Sequence, residues 1–157
     1  MLDLVIVPIR WMLAQDIVNS YARRLALCET FSQAFQVMES DPSLSSRLSQ
    51  IGGVAVDNIN LRMRVARVQH KGHEEESIVA IGPGHIPPAW LPDGAKGPCS
   101  YSLEVDVNAQ MSPAILLPAA KNKIVGLNAP IPLLVSASHQ WENLGRNPVS
   151  KDFFVNE

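Results

Sequence analysis

The densest group of metal-capable side chains in this chain is His70-Lys71-Gly72-His73-Glu74-Glu75-Glu76, with His85 a short way beyond it. Imidazoles from His70, His73 and His85 with Glu74 or Glu75 as a base would make a small metal-assisted hydrolase. Two histidines three apart share a face only on a helix, however, and the Lys71-Gly72 pair between them predicts a turn. The order of residues also matches neither His-Glu-x-x-His nor His-x-x-Glu-His. The bland reading of a solvated hairpin tip followed by an acidic strand is therefore preferred, and no metal or cofactor is expected.

Glu104 and Asp106 form a second constellation. Two carboxylates two apart on one strand face lie ~7 Å apart, which suits acid and base work. Arg62 and Arg64 alternate in the same way on another stretch, so the simpler expectation is that these charges answer each other across neighbouring strands. Nucleophilic chemistry finds less support. There is no Gly-x-Ser-x-Gly elbow, Cys28 belongs to an apolar helical stripe, and Cys99 in Gly97-Pro98-Cys99-Ser100 reads as an ordinary packed thiol. Gly82-Pro83-Gly84 lacks the Lys-Ser/Thr ending of a phosphate loop, and Gly52-Gly53 lacks the dinucleotide spacing.

Recognition chemistry is carried by Ile86-Pro87-Pro88-Ala89-Trp90-Leu91-Pro92, an extended proline run with one large aromatic. Such a run loses little entropy on docking, and tryptophan is a favoured interface anchor. The alternative is that Trp90 folds back over its own sheet. A ligand-binding β module using Trp90 and Trp141 as an aromatic platform is a further alternative.

The elements that must position these groups begin with a helix. From Pro8 to Met38 apolar residues recur at three-four spacing: Trp11, Ala14, Val18, Tyr21, Leu25, Cys28 and, after a slip at Ser32, Phe35. A continuous helix of ~30 residues is ~45 Å long at ~1.5 Å per residue. A 157-residue domain has a radius of gyration near ~15 Å, so such a helix would run the length of the whole body. Leu4 to Val7 reads as an extended lead-in, with Pro8 at the first helical position. Thr30-Phe31-Ser32-Gln33 fits a capping box and would divide the helix into 8–28 and 31–40. With neither Gly nor Pro at Leu27-Cys28-Glu29-Thr30, continuity is the favoured expectation. Asp41-Pro42 then starts a short helix carrying Leu44, Leu48 and Ile51, which ends at Gly52-Gly53.

Past Gly53 the period changes to two. Val54–Val56, Leu61–Val65, Ile78–Ile81, Ser100–Asn108, Ala114–Leu117 and Leu133–Ala137 read as strands, the last two flanked by prolines in the manner of edge strands. Gly82 to Pro98 holds five prolines and four glycines in seventeen residues, a long loop.

Residues 1–53 thus form an N-terminal helical arm, 54–140 an antiparallel β region containing the 82–98 loop, and 141–157 a tail that uses Phe153-Phe154-Val155 as a late anchor or offers it as a peptide to a partner, together one folded domain. Segregated helices and strands make the class α+β: a long helix or helical hairpin followed by an antiparallel sheet or small sandwich. A net charge of −2 supplies no field for phosphate backbones, which argues against nucleic acid. Asp3, Pro8 and Arg10 interrupt the apolar start well short of a spanning segment, which argues against a membrane. Two cysteines 71 apart suit free thiols in the cytoplasm. The expected function is that of a non-enzymatic assembly subunit or adaptor whose partner is itself or another protein subunit. Its expected interface is Trp11, Val18, Tyr21, Leu25, Phe35, Pro87, Pro88 and Trp90.

Overall fold

The structure, a computed structural model, describes residues 2–67, 76–113 and 129–157. It is α+β, as the segregation of periods requires. Helix α1 spans Leu2–Ala26, α2 Phe31–Ser40 and α3 Ser43–Gln50, followed by strands β1 Val54–Arg67, β2 Ser77–Ala80, β3 Cys99–Met111 and β4 Ile131–Gln140. The strands make one antiparallel sheet in the order β2-β1-β3-β4. β1 and β2 pair with Met63 opposite Ala80 and Val65 opposite Ile78. The expected hairpin tip at Lys71-Gly72 and the strand at Ala114–Leu117 lie outside the described residues.

The start of the chain differs from expectation. Leu4 to Val7 are helical rather than extended, and Pro8 sits inside α1. A proline there removes one main-chain hydrogen bond, and the apolar run on either side continues the helix around it.

Continuity from Pro8 to Met38 also fails, and the capping box prevails. Thr30 is extended, its Oγ1 accepts from Gln33 N at 3.1 Å, and Gln33 Oε1 accepts from Glu29 N at 2.8 Å. The chain then doubles back, because Arg24 near the end of α1 pairs with Asp41 just past α2 at 2.7 Å. On one straight helix those residues would stand ~25 Å apart. Asp41 joins this pair, and the N-cap position of α3 falls on Pro42, which has no side-chain cap of its own.

Two compact units emerge, one from Met1–Tyr21, Pro42–Asn60 and Asp106–Ala137, the other from Ala22–Asp41, Leu61–Val105 and Ser138–Glu157. In the first, Ala14, Val18 and Tyr21 of α1, Leu44 and Leu48 of α3, and Val107, Ala109, Met111, Val135 and Ala137 of the sheet are buried. Polar ties close its edges: Arg10 Nη1 donates to Ser112 O at 3.0 Å, Gln15 Nε2 to Ser136 O at 2.7 Å, and Ser112 N to Gly53 O at 2.6 Å. In the second unit the buried residues include Leu25, Phe31, Leu61, Met63, Val65, Leu103, Trp141 and Val155. Phe31 meets Phe35 and Trp141 edge to face, at 5.2 and 6.5 Å between ring centroids.

Gly53 shows why the chain turns where it does. Its φ is +71°, and a Cβ would lie 3.1 Å from Arg10 Nη1 and 3.4 Å from Ser112 O. Gly52, at φ +81°, has open space around it. Gly52→Ala is expected to cost about 1–2 kcal/mol from left-handed backbone strain alone, and Gly53→Ala more than that because the Arg10 to Ser112 bond must also shift. Urea unfolding of the two variants checks the order.

Candidate interaction surface

The chemistry-bearing residues divide between the sheet, the proline loop and the outward side of α1. On β1 and β3 the alternation that buries Leu61, Met63 and Val65 opposite Leu103 and Val105 turns Arg62, Arg64 and Glu104 to the other face. Arg62 Nε meets Glu104 Oε2 at 2.7 Å and Arg64 Nη1 meets Glu104 Oε1 at 3.6 Å. The carboxylate is thus engaged by two guanidinium groups and holds register, a job worth roughly 0.2–1 kcal/mol per pair. Asp106 accepts from Ser136 Oγ at 2.6 Å. Neither carboxylate is placed as a general acid or base.

The proline loop is built inward. A single 3₁₀ turn spans Pro88–Trp90. Trp90 is 7% exposed, Tyr101 donates its hydroxyl hydrogen to Trp90 O at 2.8 Å, and Lys96 Nζ lies 5.4 Å from the indole centre. The same ammonium pairs with Glu76 at 2.6 Å. Trp90 is therefore buried within its own unit, the alternative in which the indole folds back, whereas Pro87 and Pro88 are exposed. Trp141 is 1% exposed and donates Nε1–H to Asn143 O at 2.9 Å. Both indoles are buried, so an aromatic platform of Trp90 and Trp141 would need them uncovered.

His85 is exposed, its Nδ1 2.9 Å from Pro83 O. His70, His73, Glu74 and Glu75 lie outside the described residues. Among the described residues no three His, Cys, Asp or Glu side chains converge to hold a metal ion.

Both cysteines are free. Burial pushes the Cys28 thiol above its ordinary value, with Arg24 acting in the opposite sense. Cys99 is raised by burial and to a lesser degree by Glu76, while Arg67 pulls it down. In each, burial outweighs the nearby guanidinium, which disfavours a nucleophilic thiolate.

The expected apolar stripe on α1 and α2 splits when its burial is read. Val18, Tyr21 and Leu25 are 0%, 4% and 0% exposed, so they fill cores and offer nothing to a partner. Phe35 is half-buried against Phe31. One turn of α1 gathers exposed large apolar side chains that elsewhere stand singly or in pairs: Ile9, Trp11, Met12 and Leu13, at 51%, 44%, 64% and 49% exposure. Ile9, Met12 and Leu13 stand at i, i+3 and i+4 and share a face, with Trp11 to one side. Of these only Trp11 was expected at an interface. The signal for the others was the unbroken apolar character of Ile9 to Leu13 save Arg10, which makes the helix oily on both sides at this turn.

Such a surface is suited to docking against an apolar groove or a second helix. The raised thiols carry a separate expectation. Ellman's reagent should react with the folded protein more slowly than with free cysteine at pH 7.5, since a raised pKa leaves less thiolate. The rate should keep climbing as pH passes the ordinary value of 9.0, measured by stopped-flow absorbance.

Comparison with protein-family models, with curated proteins and with solved structures finds no match for this chain.

Proposed function

We propose that this protein is a non-enzymatic assembly subunit or adaptor, joining a second copy of itself or another protein subunit through the outward turn of α1. One observation carries the reading: four large apolar side chains within five residues, Ile9, Trp11, Met12 and Leu13, stand in solvent on a helix whose opposite side is fixed in a core. Burying a side chain of this size fully contributes about 1.5–3 kcal/mol, and about half of that is left to gain here, so a triplet at i, i+3 and i+4 supplies an anchor for a larger contact. Asp16 follows as an exposed charge one turn on and bounds the apolar patch. The exposed Pro87 and Pro88 offer a second, pre-extended contact element.

No described helix is long and apolar enough to cross a membrane. A cytoplasmic setting accompanies the reading, supported by two free thiols where a disulfide would mark an oxidising compartment.

Substituting Ile9→Ser, Met12→Ser and Leu13→Ser together tests the proposal. Each side chain is exposed, so stability is expected to change by no more than about 0.5 kcal/mol per site. Light scattering after size exclusion at micromolar concentration should give the wild type a mass above the 17.2 kDa of one chain, or a co-purifying subunit, and the variant neither. A wild type that runs alone at 17.2 kDa contradicts the reading.

A further inference from the structure

The bend between α1 and α2 stands at Leu27-Cys28-Glu29-Thr30, which contains no Gly and no Pro. Something other than a helix breaker must hold it open. On a continuous helix Phe31, Ser32 and Gln33 N–H would bond the carbonyls four residues earlier. In the hairpin each has found a substitute. Phe31 N donates to Phe154 O at 3.1 Å, Ser32 N to Glu157 O at 2.8 Å, and Gln33 N to Thr30 Oγ1 at 3.1 Å. The carbonyl of Glu29, released from Gln33, accepts from Asn143 Nδ2 at 2.8 Å. Two of the three displaced donors therefore depend on the segment 145–157.

That segment is closed on itself. Arg146 bridges Phe153, Asn147 N donates to Asp152 O at 2.9 Å, Phe154 N to Gly145 O at 3.0 Å, and Asn147 Nδ2 reaches both oxygens of the Glu157 carboxylate at 2.7 and 2.9 Å. Besides the two bonds to α2, its ties to the rest of its unit include two main-chain donors, one ion pair and two buried side chains. Asn156 accepts from Gly84 N at 2.6 Å and, through Oδ1, from Ile86 N at 3.0 Å; Arg146 pairs with Asp93; Phe153 and Val155 are buried. A lobe closed by its own hydrogen bonds can move as a body once Phe153 and Val155 leave their seat.

We infer that segment 145–157 is a clasp that holds α1 and α2 as a hairpin, and that its release lets the two helices join into one. The device goes beyond the docking role of α1 and does not require it. The joined helix restores the hydrogen bonds that the clasp replaces and extends the three-four apolar stripe from Leu25 through Cys28 to Phe35.

The test uses the full chain with Cys28 and Cys99 replaced by Ser and spin labels on cysteines at the exposed positions Arg23 and Glu39. Sixteen residues of continuous helix separate their Cα atoms by ~24 Å, whereas the hairpin that pairs Arg24 with Asp41 keeps them closer. With the clasp intact, pulsed electron resonance should give the short distance alone. Asn156→Ala, which removes the bond to Ile86 N, and separately Phe153→Ser with Val155→Ser should add a population near ~24 Å, with rising helical circular dichroism. The inference is overturned if both variants keep the short distance. It is equally overturned if neither shows the long one because helix is lost, since segment 145–157 would then be an inseparable part of the fold.

Discussion

A helix that begins in the middle of a chain must give its first-turn N–H groups to something other than itself. In this protein that requirement organises a whole unit. α2 starts at Phe31, and the carbonyls that receive its first two donors belong to Phe154 and Glu157, more than 120 residues later in the chain. Fixing those carbonyls fixes Asn156, whose backbone and side chain in turn hold Gly84 and Ile86 at the start of the proline loop. The hairpin, the loop and the tail are consequences of one set of unsatisfied amides.

Magnitudes show which contacts follow and which lead. The Arg24 to Asp41 pair marks the reversal, but with the arginine largely in solvent it contributes only roughly 0.2–1 kcal/mol. Burying Phe31 at 0% exposure against Trp141 is worth more, about 1.5–3 kcal/mol from area alone. The same ordering holds on the sheet, where Leu61, Met63, Val65, Leu103 and Val105 supply the stability while Arg62, Arg64 and Glu104 on the opposite face choose the register. The apolar face is a sufficient reason for the strands to pair; the charges are a reason for them to pair in one way.

Much of this was legible from residue order. The change from a three-four period to alternation at Gly53 gives the α+β class, and matched alternation correctly made Arg62 and Glu104 neighbours. Pro132 marked β4 as a strand at the sheet's end, where it stands in the order β2-β1-β3-β4. Thr30 and Gln33 spelled the cap. What sequence could not weigh was the cap against an uninterrupted stripe, because the deciding carbonyls come from the far end of the chain. Whether Trp90 folds back is open in the sequence for a similar reason: the Tyr101 hydroxyl that holds its carbonyl lies beyond a turn and a strand start. On α1, periodicity found the face that packs, Ala14, Val18 and Tyr21, and so drew attention from Ile9, Met12 and Leu13 on the side that does not.

The role proposed for the protein rests on that division of α1, and the second unit rests on a hairpin in which α2 is turned aside by donors captured elsewhere. Amide hydrogen exchange read residue by residue in the intact chain tests this most directly. First-turn amides of a helix are ordinarily unprotected, yet Phe31 and Ser32 should exchange as slowly as amides inside α2. Exchange at those two positions as fast as in an exposed loop, with Ala34 protected, would contradict the account.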